Sequence, residues 1–365
     1  RPFTGTIEVN FGATAFTVSP PTGYSSGYSA AIENENRETG LTIGDGSAYF
    51  QATTYSGTGS AREVNQSGNS QFTPDFVWVK KRNGTNEHRL IDAVRGATKT
   101  LFSDGTAAES TESTGVTSFD SDGFSVGTGG GYNNSSGTYV GWQWLAGNST
   151  ASNSNGSITS TVSVNQTAGF SIVTWTGTGA NATVGHGLGA VPSWILVKQR
   201  TDADSWTVYH AGNTSAPETE GLTLDSTAAT QDAATFWNDT APTSTVFSLG
   251  SGGRTNGSSD SLVAYCWCEK PGFSKFGSYE GNVDNNGIFI ELGFKPTFFM
   301  VKNVDATGAW LMFDSAREPF NVMDLQLHAD DSADEANDTS RDLDFLANGV
   351  KLRGNSSYLN SAHTF

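Results

Sequence analysis

Pro74-Asp75-Phe76-Val77-Trp78-Val79-Lys80 decides the fold, because the chain writes it again at Pro192-Ser193-Trp194-Ile195-Leu196-Val197-Lys198 and at Pro296-Thr297-Phe298-Phe299-Met300-Val301-Lys302. Eight residues beyond each lysine stand His88, Trp206 and Trp310. Upstream, each copy opens on an aromatic-x-Gly turn: Tyr55-Ser56-Gly57, Trp175-Thr176-Gly177 and Tyr279-Glu280-Gly281. Register kept over such distances predicts a β-module duplicated and stacked. Each run reads as a mostly apolar strand, with a terminal lysine expected to lay its stem on the sheet and its ammonium in water.

Further landmarks repeat. Phe124-Ser125-Val126-Gly127 answers Phe247-Ser248-Leu249-Gly250, and twelve residues beyond each glycine begin the closing strands at Tyr139 and Leu262. The same count from Arg353 lands on Phe365, so the third copy is expected to lack its last strand. Truncation is the first reading; the alternative is a strand supplied by another chain, covering an otherwise raw edge. The segments are therefore 1–47, the end of an upstream β-sandwich with a polar connector; 48–147, the first repeat; 148–169, a Ser/Asn/Gly linker with a bridging strand; 170–270, the second repeat; and 271–365, the third. The expected class is all-β, with tandem antiparallel β-sandwich modules of jelly-roll or concanavalin-like type, each closing its own core.

Composition agrees: 43 glycines among 365 residues suit short strands and tight turns. A net charge of −17, with 20 Lys and Arg dispersed among 37 Asp and Glu, argues against a nucleic-acid partner and against docking on an anionic bilayer. No apolar run has the length of a membrane span, so no membrane insertion is expected. Cys266 and Cys268 lie two apart on one strand, where bonding them would strain a disulfide; they read as free, buried thiols of a protein folded in a reducing cytoplasm.

Candidate sites each have a plainer reading beside them. Asp92 with Arg95 and Asp314 with Arg317 are three apart, and His210 and Asn213 take their places in the second copy; a structural clamp under a loop is the expectation. Trp206, Trp310, Trp237 and Tyr132 are candidates for stacking on a sugar, the last two for exposure in polar stretches, against the usual core role of such rings. Asp330, Asp331, Asp334 and Glu335 open a dense acidic loop whose oxygens suit Ca²⁺, the one cofactor considered, against a solvated acidic loop. The five histidines show no zinc spacing, and Gly185-His186-Gly187-Leu188-Gly189 reads as a turn, since no Lys-Ser/Thr follows it. No nucleophile elbow occurs, and the chain is not expected to be an enzyme.

These phrases, together with Asp92-Ala93-Val94-Arg95-Gly96-Ala97, Tyr139-Val140-Gly141-Trp142 and Phe313-Asp314-Ser315-Ala316-Arg317, are similar to the hallmarks of a repeat family in virion proteins of tailed bacteriophages, especially those of marine bacteria. Residues 11–24 resemble the end of a SPRY-like, concanavalin-type sandwich. The resemblance implies a non-enzymatic virion component made in the host bacterial cytoplasm, in a tail fibre or exposed appendage. It implies a homo-oligomer, trimeric as fibres are, that meets other virion proteins and a host surface glycan or protein. The alternatives are a purely structural or decorating protein without a ligand, and a polysaccharide depolymerase.

Overall fold

Phe76, Trp78 and Lys80 turn to one face of their strand and Val77 and Val79 to the other, each face entering a different core. The structure, a computed structural model, describes residues 43–365; the expected upstream sandwich end and most of its connector lie outside the described residues. In the first section Phe50–Ser56, Thr138–Trp144, Phe76–Lys81, Arg89–Asp92 and Lys99–Phe102 lie side by side in that order, all antiparallel. The strand written last is thus central. In the second section Phe170–Thr176, Ser261–Trp267, Trp194–Gln199, Thr207–His210 and Glu220–Thr223 repeat the arrangement. Registers correspond: Trp78 opposes Trp142 as Leu196 opposes Tyr265.

Smaller antiparallel sheets cover the outward faces. Arg62–Asn65, Gly123–Val126 and Val116–Asp120 cover the first, and Ala182–Gly185 with Val246–Leu249 the second. Phe289–Glu291, Gly349–Leu352 and Leu343–Leu346 cover the third, whose main sheet is Phe298–Val301, Leu311–Asp314 and Leu325–His328. Each section is therefore a sandwich with an outer core of its own.

The inward faces behave differently from the tandem expectation. Trp78 and Trp142, Trp206 and Tyr265, and Trp310 and Met312 belong to a single buried cluster drawn from all three sections. Ile43–Phe365 form one unit around it. Alternation explains this, because a strand that is apolar on both faces must bury both, and the covering sheet shields only one. Segment 148–169 is structured too: Ala151–Asn153 pairs with Ser160–Asn165, which extends the second sheet beyond Phe170–Thr176.

The aromatic-x-Gly turns have a steric cause. A Cβ on Gly57, Gly177 or Gly281 would run into the backbone carbonyl of Asn134, Gly257 or Ser361. A buried asparagine follows the same plan in each section, with Asn133, Asn256 and Asn360 accepting the amides of Thr58, Thr178 and Asn282 at 2.7, 2.9 and 2.9 Å. Among the described residues no helix is long and apolar enough to cross a membrane.

Candidate functional site

The terminal lysines do not reach water. Lys80 and Lys198 have no exposed surface and Lys302 is 4% exposed. Their Nζ atoms donate to Ser332 O, Thr106 O and Thr227 O of a neighbouring section, each at 3.2 Å. Each also reaches the carbonyl of its own next residue, at 2.7–2.9 Å. Burial pushes all three ammonium pKa values down to about 8. The snorkelling expectation fails because the lysine lies on the same face as Phe76 and Trp78, where the next section's loop closes over it.

These contacts run in a cycle. The first section's loop binds the second, through Glu109 N to Arg200 O at 2.9 Å; the second binds the third, through Thr230 N to Val304 O at 2.9 Å; the third binds the first, through Glu335 N to Arg82 O at 2.7 Å. Glu109 takes a two-pronged bond from Arg200 at 2.8 and 3.0 Å and one from Arg95 at 3.0 Å. Glu335 does the same with Arg82, at 2.8 and 3.0 Å, and with Arg317, at 3.0 Å. Burial would raise the Glu109 carboxyl, but the Arg200 and Arg95 guanidiniums outweigh it and hold the pKa low.

Behind the glutamates, Asp92 binds Arg95, and Asp314 binds Arg317 at 2.6 Å. All four side chains are buried. Asp92 further accepts Tyr265 Oη of the second section at 2.7 Å, and Asp314 accepts Trp142 Nε1 of the first at 3.1 Å. In the second section Thr230 donates instead to Asn213 Oδ1 at 2.7 Å. Another aspartate set went unread in the sequence. Asp104, Asp225 and Asp330 accept the amides of His88, Trp206 and Trp310 at 3.0, 2.7 and 2.7 Å. Its signal was an Asp five residues before Glu109, Thr230 and Glu335 in three otherwise dissimilar loops, while its distance from the residue it holds varies.

The sugar-stacking candidates are core residues. Trp206 is fully buried, Trp237 and Tyr132 are 2% exposed and Trp310 is 5%. Trp206 and Trp310 lie between sections, their Nε1 atoms donating to Phe102 O at 2.7 Å and Thr223 O at 3.1 Å. Trp237 and Tyr132 were misread from polar surroundings. The single-turn helices Ala234–Trp237 and Gly130–Asn133 fold their rings inward as lids of the outer cores.

The acidic loop does not converge on a point. Asp331 pairs with His328 at 2.8 Å, Asp334 is exposed, and Asp330 and Glu335 are engaged as described. Among the described residues no group of three or more His, Cys, Asp or Glu is placed to hold a metal ion. Cys266 and Cys268 are free and buried, and burial pushes both thiols up in pKa.

One feature is open. In the third section Tyr279 and Phe365 exchange backbone hydrogen bonds at 3.1 and 3.0 Å, and their rings stack at 5.2 Å as Tyr55 and Tyr139 do at 5.1 Å. Val304 N donates to Thr364 O at 3.1 Å, as Arg82 N does to Thr138 O at 2.7 Å and Arg200 N to Ser261 O at 2.8 Å. Thr364 and Phe365 thus hold the first two places of a central strand. The places that residues 140–144 and 263–267 fill elsewhere have no counterpart among the described residues. A cavity of about 760 Å³ occupies that region, walled by Phe276 and Gly277 on one side and Phe298 and Met300 on the other, with His210 and Trp267 behind. Met300 is half-buried, whereas its counterparts Trp78 and Leu196 are 1% and 0% exposed.

A family model described as a domain of unknown function (DUF7483) matches residues 45–365, so the chain belongs to that family. Neither the curated proteins nor the solved structures contain a match to it.

Proposed function

We propose that this member of the family is a non-enzymatic structural protein of a bacteriophage virion, placed in a tail fibre or another exposed appendage that contributes to attachment to the host surface. The observation that carries the reading is the use made of polar chemistry. The Asp-Arg pairs, the glutamates, the lysines and the inter-sectional tryptophans all join sections into a closed cycle, the arrangement of a part that holds shape under load. The resemblance to phage virion repeats supplies the location.

The third section offers the surface for a partner. Phe320 is 82% exposed, Val322 45% and Leu346 37%. Asn321 binds Phe345 O at 3.1 Å, which brings the three together. Phe320 and Val322 sit on a connection between Arg317 and Leu325 that is four residues longer than the one between Arg95 and Lys99. Several copies on one particle would multiply weak binding through such patches. Antibody against the chain should decorate an exposed appendage of intact virions, and the purified protein should bind host cells saturably, with binding reduced in Phe320→Ser at unchanged Tm. Virion decoration without cell binding would favour a purely structural role. Release of reducing sugar from host polysaccharide would overturn the non-enzymatic reading.

A further inference from the structure

We propose that the Glu318–Asp324 carboxyl pair is a proton-operated clasp on the connection between Arg317 and Leu325, holding Phe320 and Val322 in their exposed position while it shares a proton and releasing them when the proton leaves. The inference rests on reading that patch as the attachment surface, and adds how the surface is regulated. One side chain closes the base of the connection: Glu318 Oε2 accepts the Asp324 amide at 2.8 Å and the Leu325 amide at 2.7 Å. The far side is laid along Leu343–Leu346. There Met323 and Leu343 exchange backbone bonds at 2.8 and 3.1 Å, while the Asn321 side chain accepts the Phe345 amide at 2.9 Å and donates to the Phe345 carbonyl at 3.1 Å. Phe320 and Val322 stand exposed among these holds. The clasp is particular to the third section. Gly96, with no side chain, follows Arg95 where Glu318 follows Arg317, and Thr214 follows Asn213.

The surroundings make the proton matter. Two amide donors favour an ionised carboxylate, but Glu318 is half-buried and the Asp324 carboxyl stands beside it. Burial first, and then Asp324, raise the Glu318 pKa to about 7 against the pull of the amides. Two adjacent carboxyl groups resist a second ionisation, so the pair keeps one proton and bonds through it. From the other side Asp342 faces Asp324. Its Oδ1 has no hydrogen-bond partner among the described residues, and burial together with Asp324, Asp338 and Asp344 raises its carboxyl too. The cations nearby are committed elsewhere: Arg317 to Asp314 and Glu335, Arg341 to Asp338, and Arg353 to Asp344. With the connection open, Glu318 returns to the ordinary value of 4.5. Closure is therefore supported at low pH and loses that support as pH rises through 7, the closed-to-open ratio falling about tenfold from pH 6 to pH 8.

Native-state hydrogen exchange on the whole chain reads the clasp at the Asp324 and Leu325 amides, each rate corrected for intrinsic exchange at its pH. Protection should fall about tenfold from pH 6 to pH 8. Glu318→Gln keeps an acceptor for the amides and gives Asp324 a permanent donor, so its protection should not change with pH. Asp324→Asn removes the like charge and should move the fall to lower pH. The buried lysines act in the opposite sense, because their contribution to overall stability grows as pH rises, so a global loosening cannot imitate the result. Saturable binding to host cells should fall in parallel for the unmodified chain and stay level in Glu318→Gln. Protection indifferent to pH in the unmodified chain, or lost equally in Glu318→Gln, would overturn the proposal. Exchange that follows pH as expected, with no cell binding at any pH, would uphold the clasp and sink the attachment reading.

Discussion

Lys80, Lys198 and Lys302 carry the most testable electrostatics at the scale of single residues. Burial lowers their folded-state pKa from an ordinary 10.5 to about 8. Between those values the unfolded chain binds more protons than the folded one, so stability contributed here is lost as pH falls through 8 and gained as it rises toward 10.5. Urea midpoints should be higher at pH 9.5 than at pH 7.5, and a lower midpoint at pH 9.5 would show that the carbonyls accepting from the ammoniums outweigh the cost of burying them. The buried pairs give a second expectation. Arg317→Leu leaves the Asp314 carboxylate without its cation and should cost about 3–5 kcal/mol in urea unfolding. Asn213→Leu, which strands no charge, should cost clearly less.

At the scale of elements the turns are the sensitive points. Gly177→Ala drives a methyl into the Gly257 carbonyl and should cost about 1–3 kcal/mol. Gly44→Ala, with open space around it, should cost almost nothing by the same thermal melt. This is also the scale at which the sequence was most legible. Strand alternation, the aromatic-x-Gly turns and the twelve-residue count to the closing strand depend on neighbours along the chain, and all locate real elements. The candidate sites were less legible, because burial at Trp206, Trp310 and the lysines is imposed by a different section far away in sequence. Trp237 and Tyr132 misled for a local reason: a single helical turn reverses the direction in which a polar stretch presents its ring. His210 looked like a lost Asp-Arg pair. It shares their register position, opposite Trp194 as Asp92 is opposite Phe76 and Asp314 opposite Phe298, which only the strand pairing reveals.

For the whole molecule, the decisive fact is that three inward faces make one core. Phe76, Leu196 and Met312 lie in one cluster, and the loops that follow Lys99–Phe102, Glu220–Thr223 and Leu325–His328 tie each section to the next in a closed cycle. Such sections depend on one another, in contrast to modules strung on linkers that melt independently. Native-state hydrogen exchange measures this most directly, on the amides of Trp78, Leu196 and Met312 as urea is raised. Shared opening predicts that all three converge on one free energy and one urea dependence. Three separate isotherms, with one section opening while the others stay closed, would contradict it.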